Sequence, residues 1–304
     1  MTGSSKASTT ESGRLGNPES FTEYFEVDSL HVGDRFGISV SLPRLYGTTP
    51  DAGYPALYAT DGNVYGPIAE AVMFDFDVFD AVVPIEPFMQ VSIGFTAKQT
   101  PQANTLRMRN FVAPGASIPE YMQAHVSARL GPAAVAAFCE NFAAGRADRF
   151  LAFIEEELHP EICRRYRVQA DAAGLFGYSG GGLFSLYAMT SGSRIFSRYG
   201  AGAAGVFPDA PLFKMYEQLL QQRGNTAVPA HLHLVTNAKE LFGSARLYRL
   251  NVINLLRFYD TLIERPLHGL QVTTEVLTGE SHSSGWLGAY RSFVRACYRK
   301  DRVS

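Results

Sequence analysis

The run Leu175-Phe176-Gly177-Tyr178-Ser179-Gly180-Gly181-Gly182, with Leu183 to Met189 behind it, constrains this chain more than any other stretch. An apolar strand-like segment ends in a serine flanked by glycines, and small and apolar residues with a helical pattern follow at once. A strand that turns this abruptly into a helix forces its corner residue into a sparsely populated backbone region, and the neighbours on either side must lack bulky Cβ groups. Gly177 and Gly181 meet that demand in a G-x-S-x-G pattern. Such a corner projects a hydroxyl at a helix N-terminus, where free N–H groups and the helix dipole favour developing negative charge. Glycine and serine also fill ordinary loops, so the weight of the motif comes from its order: strand at Ala172 to Phe176, then turn, then helix.

The rest of the chain supplies a rhythm to carry that corner. Tyr24 to Asp28 and Arg35 to Leu42 alternate in hydrophobicity around Gly33-Asp34, which predicts an antiparallel hairpin at one edge of a sheet. Further strands are expected at Pro55 to Thr60, Met89 to Gly94, the run before Ser179, Tyr199 to Val206, His231 to Asn237 and Leu270 to Leu277. Helical patterns fall at Ala147 to Tyr166, Gly182 to Thr190, Pro211 to Gln222, Ser244 to Glu264 and Gly285 to Arg299. Strands regularly separated by helices predict an α/β architecture, a mostly parallel eight-stranded sheet covered on both faces, with active-site groups at the carboxyl ends of its strands. The segment from about Thr96 to Gly145 breaks the rhythm, being long for one connection and carrying Pro101, Pro114, Pro119 and Pro132. It is expected to be a lid-like insertion whose Phe111, Tyr121, Met122, Phe138 and Phe142 either line a pocket or complete the core.

A serine hydroxyl is a poor nucleophile at neutral pH and needs a histidine to take its proton and an acid to hold that histidine in the right tautomer. Of seven histidines, His282 fits best, in a loop that follows the last expected strand and precedes the last helix. Glu240, just beyond the seventh strand, is the preferred acid; Asp209 after the sixth strand competes, and Glu280 lies awkwardly close to His282 in sequence. The resulting order Ser179, Glu240, His282 is that of the α/β-hydrolase fold. An oxyanion hole then calls for the backbone N–H of Gly180 and one from the expected loop Asp61-Gly62-Asn63 after the third strand, with Gly62 or Asn63 as the donor. Tyr178 beside the nucleophile and Trp286 after the histidine loop are candidates, with Phe111, for contact with substrate; for Trp286 a helix-anchoring role is the alternative.

Composition excludes some partners. With 304 residues, 46% hydrophobic and 18% charged, and a net charge of −2, the chain is expected to form one α/β domain over 18–304 behind a mobile Ser/Thr/Gly-rich tail at 1–17. Nothing biases it toward nucleic acid or a membrane surface, and no run is apolar and long enough to span a bilayer. Cys139, Cys163 and Cys297 are widely spaced and suggest neither a disulfide framework nor a zinc site. That usage, and a tail without the apolar core of a secretory signal, make the cytoplasm the expected compartment. Asp75, Asp77 and Asp80, interleaved with Phe74, Phe76 and Phe79, read as a surface segment rather than a cation site. Homo-oligomerisation is left open.

Several blocks resemble one family. Leu57-Tyr58-Ala59-Thr60-Asp61-Gly62-Asn63 is similar to the YxxDGN stretch of the esterase D and enterochelin (ferric siderophore) esterase-like α/β-hydrolases. Phe150 to Pro160 looks like the helix before their nucleophile strand, and Phe176 to Gly182 with Phe184-Ser185-Leu186-Tyr187 looks like their GHSxGGxxxLY. The resemblance runs from about Tyr24 to Arg299 and implies that Ser179, Glu240 and His282 are nucleophile, acid and base. Tyr178 stands where the family usually has histidine, and Gly180 where it has a bulkier apolar residue. The resemblance implies a serine carboxylic-ester hydrolase working through an acyl-enzyme on a small-molecule ester, without metal or organic cofactor. The alternatives are acyl transfer to an alcohol or amine, as in mycolyltransferase-like relatives, and a binding protein with a degenerate site.

Overall fold

Gly33, at a φ of 78°, turns the chain between β1 (Thr22–Asp28) and β2 (Arg35–Ser41), which pair antiparallel as expected. The structure, a computed structural model, describes residues 22–79, 83–169 and 172–300, so the expected tail at 1–17 lies outside the described residues. The sheet continues with β3 (Ala56–Ala59), β4 (Met89–Phe95), β5 (Ala173–Tyr178), β6 (Phe196–Gly202), β7 (Ala230–Asn237) and β8 (Leu270–Leu277). Eight strands lie in the order β1-β2-β4-β3-β5-β6-β7-β8. β2 meets β4 antiparallel, and every pairing from β4 to β8 is parallel. From β3 the chain goes first to β4 on one side and then to β5 on the other. That reversal opens a crevice at the carboxyl ends of the central strands.

Helices follow in the order α1 (Gly62–Tyr65), α2 (Ala69–Phe74), α3 (Ala103–Phe111), α4 (Glu120–Leu130), α5 (Ala133–Ala143), α6 (Ala147–Ala152), α7 (His159–Arg165), α8 (Gly180–Thr190), α9 (Leu212–Arg223), α10 (Ala238–Phe242), α11 (Arg246–Glu264) and α12 (Trp286–Cys297). A π-helical stretch, Phe153–Leu158, joins α6 to α7, so the helix expected before the nucleophile strand is continuous. Strand alternation sends Tyr58 and Leu175 to one face and Leu57 and Phe176 to the other, and each pair belongs to a separate buried cluster. Leu183, Phe184 and Leu186 of α8 fill the first cluster, while Tyr290, Phe293 and Val294 of α12 fill the second. This is the doubly covered sheet of an α/β-hydrolase fold.

The structure refines the expectation in four places. β6 starts and ends earlier than expected, because the apolar residues after Gly202 leave the sheet: Ala203 takes a φ of 41°, and the Gly205 N–H donates to the Ser179 carbonyl at 2.9 Å. Asp61-Gly62-Asn63 is not a loop throughout, since α1 begins at Gly62. The 96–145 segment carries α3, α4 and α5, and Phe111, Met122 and Phe142 are buried in the cluster on the α8 face. Asp75 and Asp77 lie in a π-helical turn and pair with Arg291 and Arg44, each at 2.5 Å, while Asp80 lies outside the described residues. Cys139, Cys163 and Cys297 are free thiols, and among the described residues no helix is long and apolar enough to cross a membrane.

Candidate active site

Ser179 occupies the corner between β5 and α8 at φ 58° and ψ −116°. A side chain is rarely held there, and the surroundings explain how it is. The Ser179 N–H donates to the Gly202 carbonyl at 2.8 Å, and its own carbonyl accepts the N–H groups of Leu183 at 3.0 Å and Gly205 at 2.9 Å. A Cβ on Gly177 would lie 2.0 Å from the Gly181 carbonyl oxygen, and one on Gly181 would lie 2.2 Å from Thr60 Oγ1. Both glycines of the motif are therefore required by close approach, and the half-buried hydroxyl faces a cleft.

His282 Nε2 lies 2.9 Å from Ser179 Oγ, and His282 Nδ1 lies 2.8 Å from Glu240 Oε1. A carboxylate only accepts, so the Nδ1 proton lies toward Glu240 and Nε2 is left to accept from the serine hydroxyl. Glu240 stands in the short helix α10 directly after β7 and is only 4% exposed. The same Oε1 accepts from Asn237 Nδ2 at 2.9 Å, and Asn237 Nδ2 also donates to the Tyr178 hydroxyl at 2.7 Å. Tyr178 passes its own hydrogen to the His282 main-chain carbonyl at 2.9 Å. That donation fixes the Asn237 amide, because the group facing Tyr178 must then be the NH2. Burial first, and then the Glu240 carboxylate, push the Tyr178 phenol well above its ordinary value, so it stays a neutral donor.

The competing acids are placed elsewhere. Asp209 sits in the loop after β6 at a φ of 57°, and the His282 Nδ1 partner is Glu240. Glu280 contributes its backbone: its carbonyl accepts the Lys239 N–H at 3.1 Å and ties the histidine loop to α10. Gly285 lets that loop close, since a Cβ there would lie 2.0 Å from Asn237 Oδ1.

The cleft beside Ser179 has a volume of about 440 Å³ and is bordered by Asn63, Tyr65, Phe95, Arg107, Tyr178 and Trp286. A second, far smaller cavity of about 40 Å³, among Leu42, Met73, Phe76 and Phe88, is lined without Ser179 or His282. Gly180 is the first residue of α8, and Gly62 and Asn63 are the first two of α1, positions whose N–H groups lack intrahelical acceptors. Of the latter two, Asn63 borders the cleft, whereas Gly62 is pressed on β4, where a Cβ would lie 2.6 Å from the Ile93 backbone. The Asn63 side chain holds this turn by accepting the Phe95 N–H at 2.7 Å and donating to its carbonyl at 2.9 Å. Trp286 borders the cleft and stands edge-on to Tyr65, centroids 5.6 Å apart. Phe111 does not border it: it is 3% exposed and packs on Phe150 and Phe184 beneath the elbow, because its helix turns that side inward.

Two residues at the site were not anticipated. Arg107 of α3 forms a two-pronged pair with Asp61, 2.8 and 2.7 Å, at the cleft wall. Burial pulls its guanidinium pKa down, but the charge and hydrogen bonds of Asp61, with Tyr65, together raise it above the ordinary value. Tyr248 of α11 stacks on the His282 ring at 4.1 Å and 17°. Each is brought in by tertiary packing and stands far in sequence from the elbow, so no local motif marks it.

No family model matches the chain. The ferri-bacillibactin esterase BesA of Bacillus subtilis is 27% identical over 287 residues, covering 92% of this chain and 91% of that protein. A BES protein from Bacillus cereus superposes with a TM-score of 0.73 at 21% identity, covering 96% of this chain and 99% of its own. The siderophore hydrolase EstB from Aspergillus nidulans gives a TM-score of 0.72 at 19% identity, covering 97% of this chain and 99% of its own. The chain has the α/β-hydrolase fold that these structures share, and over nearly its whole length it is similar in sequence to an enterochelin-type (siderophore) esterase.

Proposed function

We propose that this protein is a serine carboxylic-ester hydrolase acting on siderophore-type esters through an acyl-enzyme. The observation that carries the reading is the relay from Ser179 Oγ to His282 Nε2, 2.9 Å, and from His282 Nδ1 to Glu240, 2.8 Å, at the end of a strained elbow. His282 takes the hydroxyl proton as Ser179 attacks the ester carbonyl. The oxygen that gains charge meets the N–H groups of Gly180 and Asn63, each such donor contributing about 3 to 4 kcal/mol to the transition state. His282 returns the proton to the leaving alcohol, then removes one from water, whose attack on the acyl-enzyme releases the acid and regenerates Ser179. Glu240 holds the imidazole and stabilises its charged form. No step calls on a metal or organic cofactor.

The substrate class rests on the relative named a ferri-bacillibactin esterase, which matches nearly the whole length of this chain. Tyr65, Phe95 and Trp286 around the cleft suit an aromatic acyl group. The test is a panel of siderophore-type lactones, aryl esters and alkyl esters of graded length, assayed beside Ser179→Ala, with alcohol and amine acceptors added in parallel. Preferred cleavage of the siderophore-type or aryl esters to the free acid, abolished by Ser179→Ala, is expected. Turnover that survives Ser179→Ala contradicts the mechanism, and transfer of the acyl group to the added acceptor contradicts hydrolysis.

A further inference from the structure

The face of the His282 ring is covered by a residue that the relay itself does not need. Tyr248 lies parallel to the imidazole, centroids 4.1 Å apart and planes 17° apart, while Tyr178 approaches at 5.3 Å and 44°. Tyr248 comes from α11 and does not border the cleft, so it touches the histidine and leaves the substrate space free. Its outer side is met edge-on by His125 of α4, centroids 5.6 Å apart. An aromatic face attracts a cation lying over it more strongly than it attracts the same ring when neutral. A stacked phenol therefore favours the imidazolium, the form His282 takes in each transition state.

We propose that Tyr248 is a positioning residue for the reaction, holding the His282 ring in the plane of the relay and stabilising its protonated form. The inference rests on the hydrolase reading above. The other groups facing His282 are Glu240 from α10, Tyr178 from β5, His125 from α4 with Arg129 near it, Glu280 on its own loop, and the Arg107–Asp61 pair across the cleft. Of these only Glu240 touches an imidazole nitrogen as an acid, and it lies in the ring's edge direction, so a change at Tyr248 leaves that bond in place. Burial lowers the His125 pKa, with Arg129 and then His282 adding to the effect, which keeps a second positive charge away from the stacked pair.

The sign of the effect is fixed. The base works unprotonated, so kcat/KM rises with pH to a plateau; removing a face that favours the cation moves that rising limb to lower pH. The experiment compares pH profiles of kcat/KM and kcat for the full chain, Tyr248→Phe, Tyr248→Leu and Ser179→Ala, with thermal melting of each. Tyr248→Phe is expected to track the unsubstituted protein. Tyr248→Leu is expected to shift the limb down by about half a unit and to lower kcat several-fold with little change in KM. Where the leucine variant melts too early to assay, Tyr248→Met fills the space without a ring and gives the same reading. A limb that does not move in the folded variants overturns the role of Tyr248 while Ser179→Ala remains inactive. Turnover by Ser179→Ala overturns the hydrolase reading itself, and the proton relay with it.

Discussion

Replacing Glu240 with glutamine isolates the charge of the acid from its geometry. In many triads the amide can rotate and present its NH2 to the histidine, which traps the wrong tautomer. Here Asn237 Nδ2 donates to Glu240 Oε1 at 2.9 Å, and the Asn237 amide is itself held by Tyr178. A glutamine at 240 that turned its NH2 inward would face two donors, so its oxygen stays toward His282 and the working tautomer survives. What is lost is the attraction between carboxylate and imidazolium, about 4 kcal/mol for unit charges about 4 Å apart at an effective dielectric near 20. At about 1.4 kcal/mol per decade, kcat for Glu240→Gln should fall about 10³-fold. Glu240→Ala removes the acceptor as well, leaving His282 free to take either tautomer, and should lose about 10⁴-fold or more. The assay is kcat on an activated ester on the plateau of the unsubstituted protein's pH profile, with thermal melting to exclude unfolding. Equal losses for glutamine and alanine would refute the reasoning about Asn237, and near-normal turnover by either would remove Glu240 from the relay.

Ser179→Ala and His282→Ala are each expected to reduce turnover by several orders of magnitude, and the double variant to lose little more, because the pair acts as a unit; additive losses measured in single-turnover assays would contradict that. Gly177→Ala brings a methyl to 2.0 Å from the Gly181 carbonyl oxygen, and since that neighbour is backbone the turn must open. Its kcat should fall steeply even where circular dichroism shows a folded sheet, and unchanged kcat would count against the elbow. Tyr178→Phe leaves the His282 carbonyl and one Asn237 hydrogen without their partner, a cost of about 1 to 3 kcal/mol for each buried group left unpaired. A melting point lowered by several degrees and a kcat that falls more than KM rises are expected; an unchanged melting curve would show that water replaces the hydroxyl.

Most of this architecture is written in local pattern. The hairpin followed from alternation around Gly33, and the elbow from glycines whose necessity the 2.0 and 2.2 Å approaches now explain. Glu240 and His282 were legible because a parallel sheet brings the carboxyl ends of β5, β7 and β8 to the same edge whatever the loops do. β6 ends earlier than its pattern suggests because Ala203, Ala204 and Val206 are as buried as strand residues, while Ala203 takes a φ of 41° and the next glycine, Gly205, bonds the Ser179 carbonyl. The 96–145 helices were hidden by their prolines and by aromatic residues that serve the core, so Phe111 read as pocket when it is packing. Arg107 and Tyr248 act through positions set by packing between distant segments, and sequence carries no local trace of that.

The nucleophile is the claim on which everything else depends, and covalent labelling addresses it directly. Treatment of the protein with a fluorophosphonate, followed by intact mass and peptide mass spectrometry, should show one adduct per chain on the peptide bearing Ser179, with parallel loss of esterase activity. Ser179→Ala should take up none. Activity lost without a label on Ser179, or a label on another residue that inactivates the enzyme, would contradict the assignment.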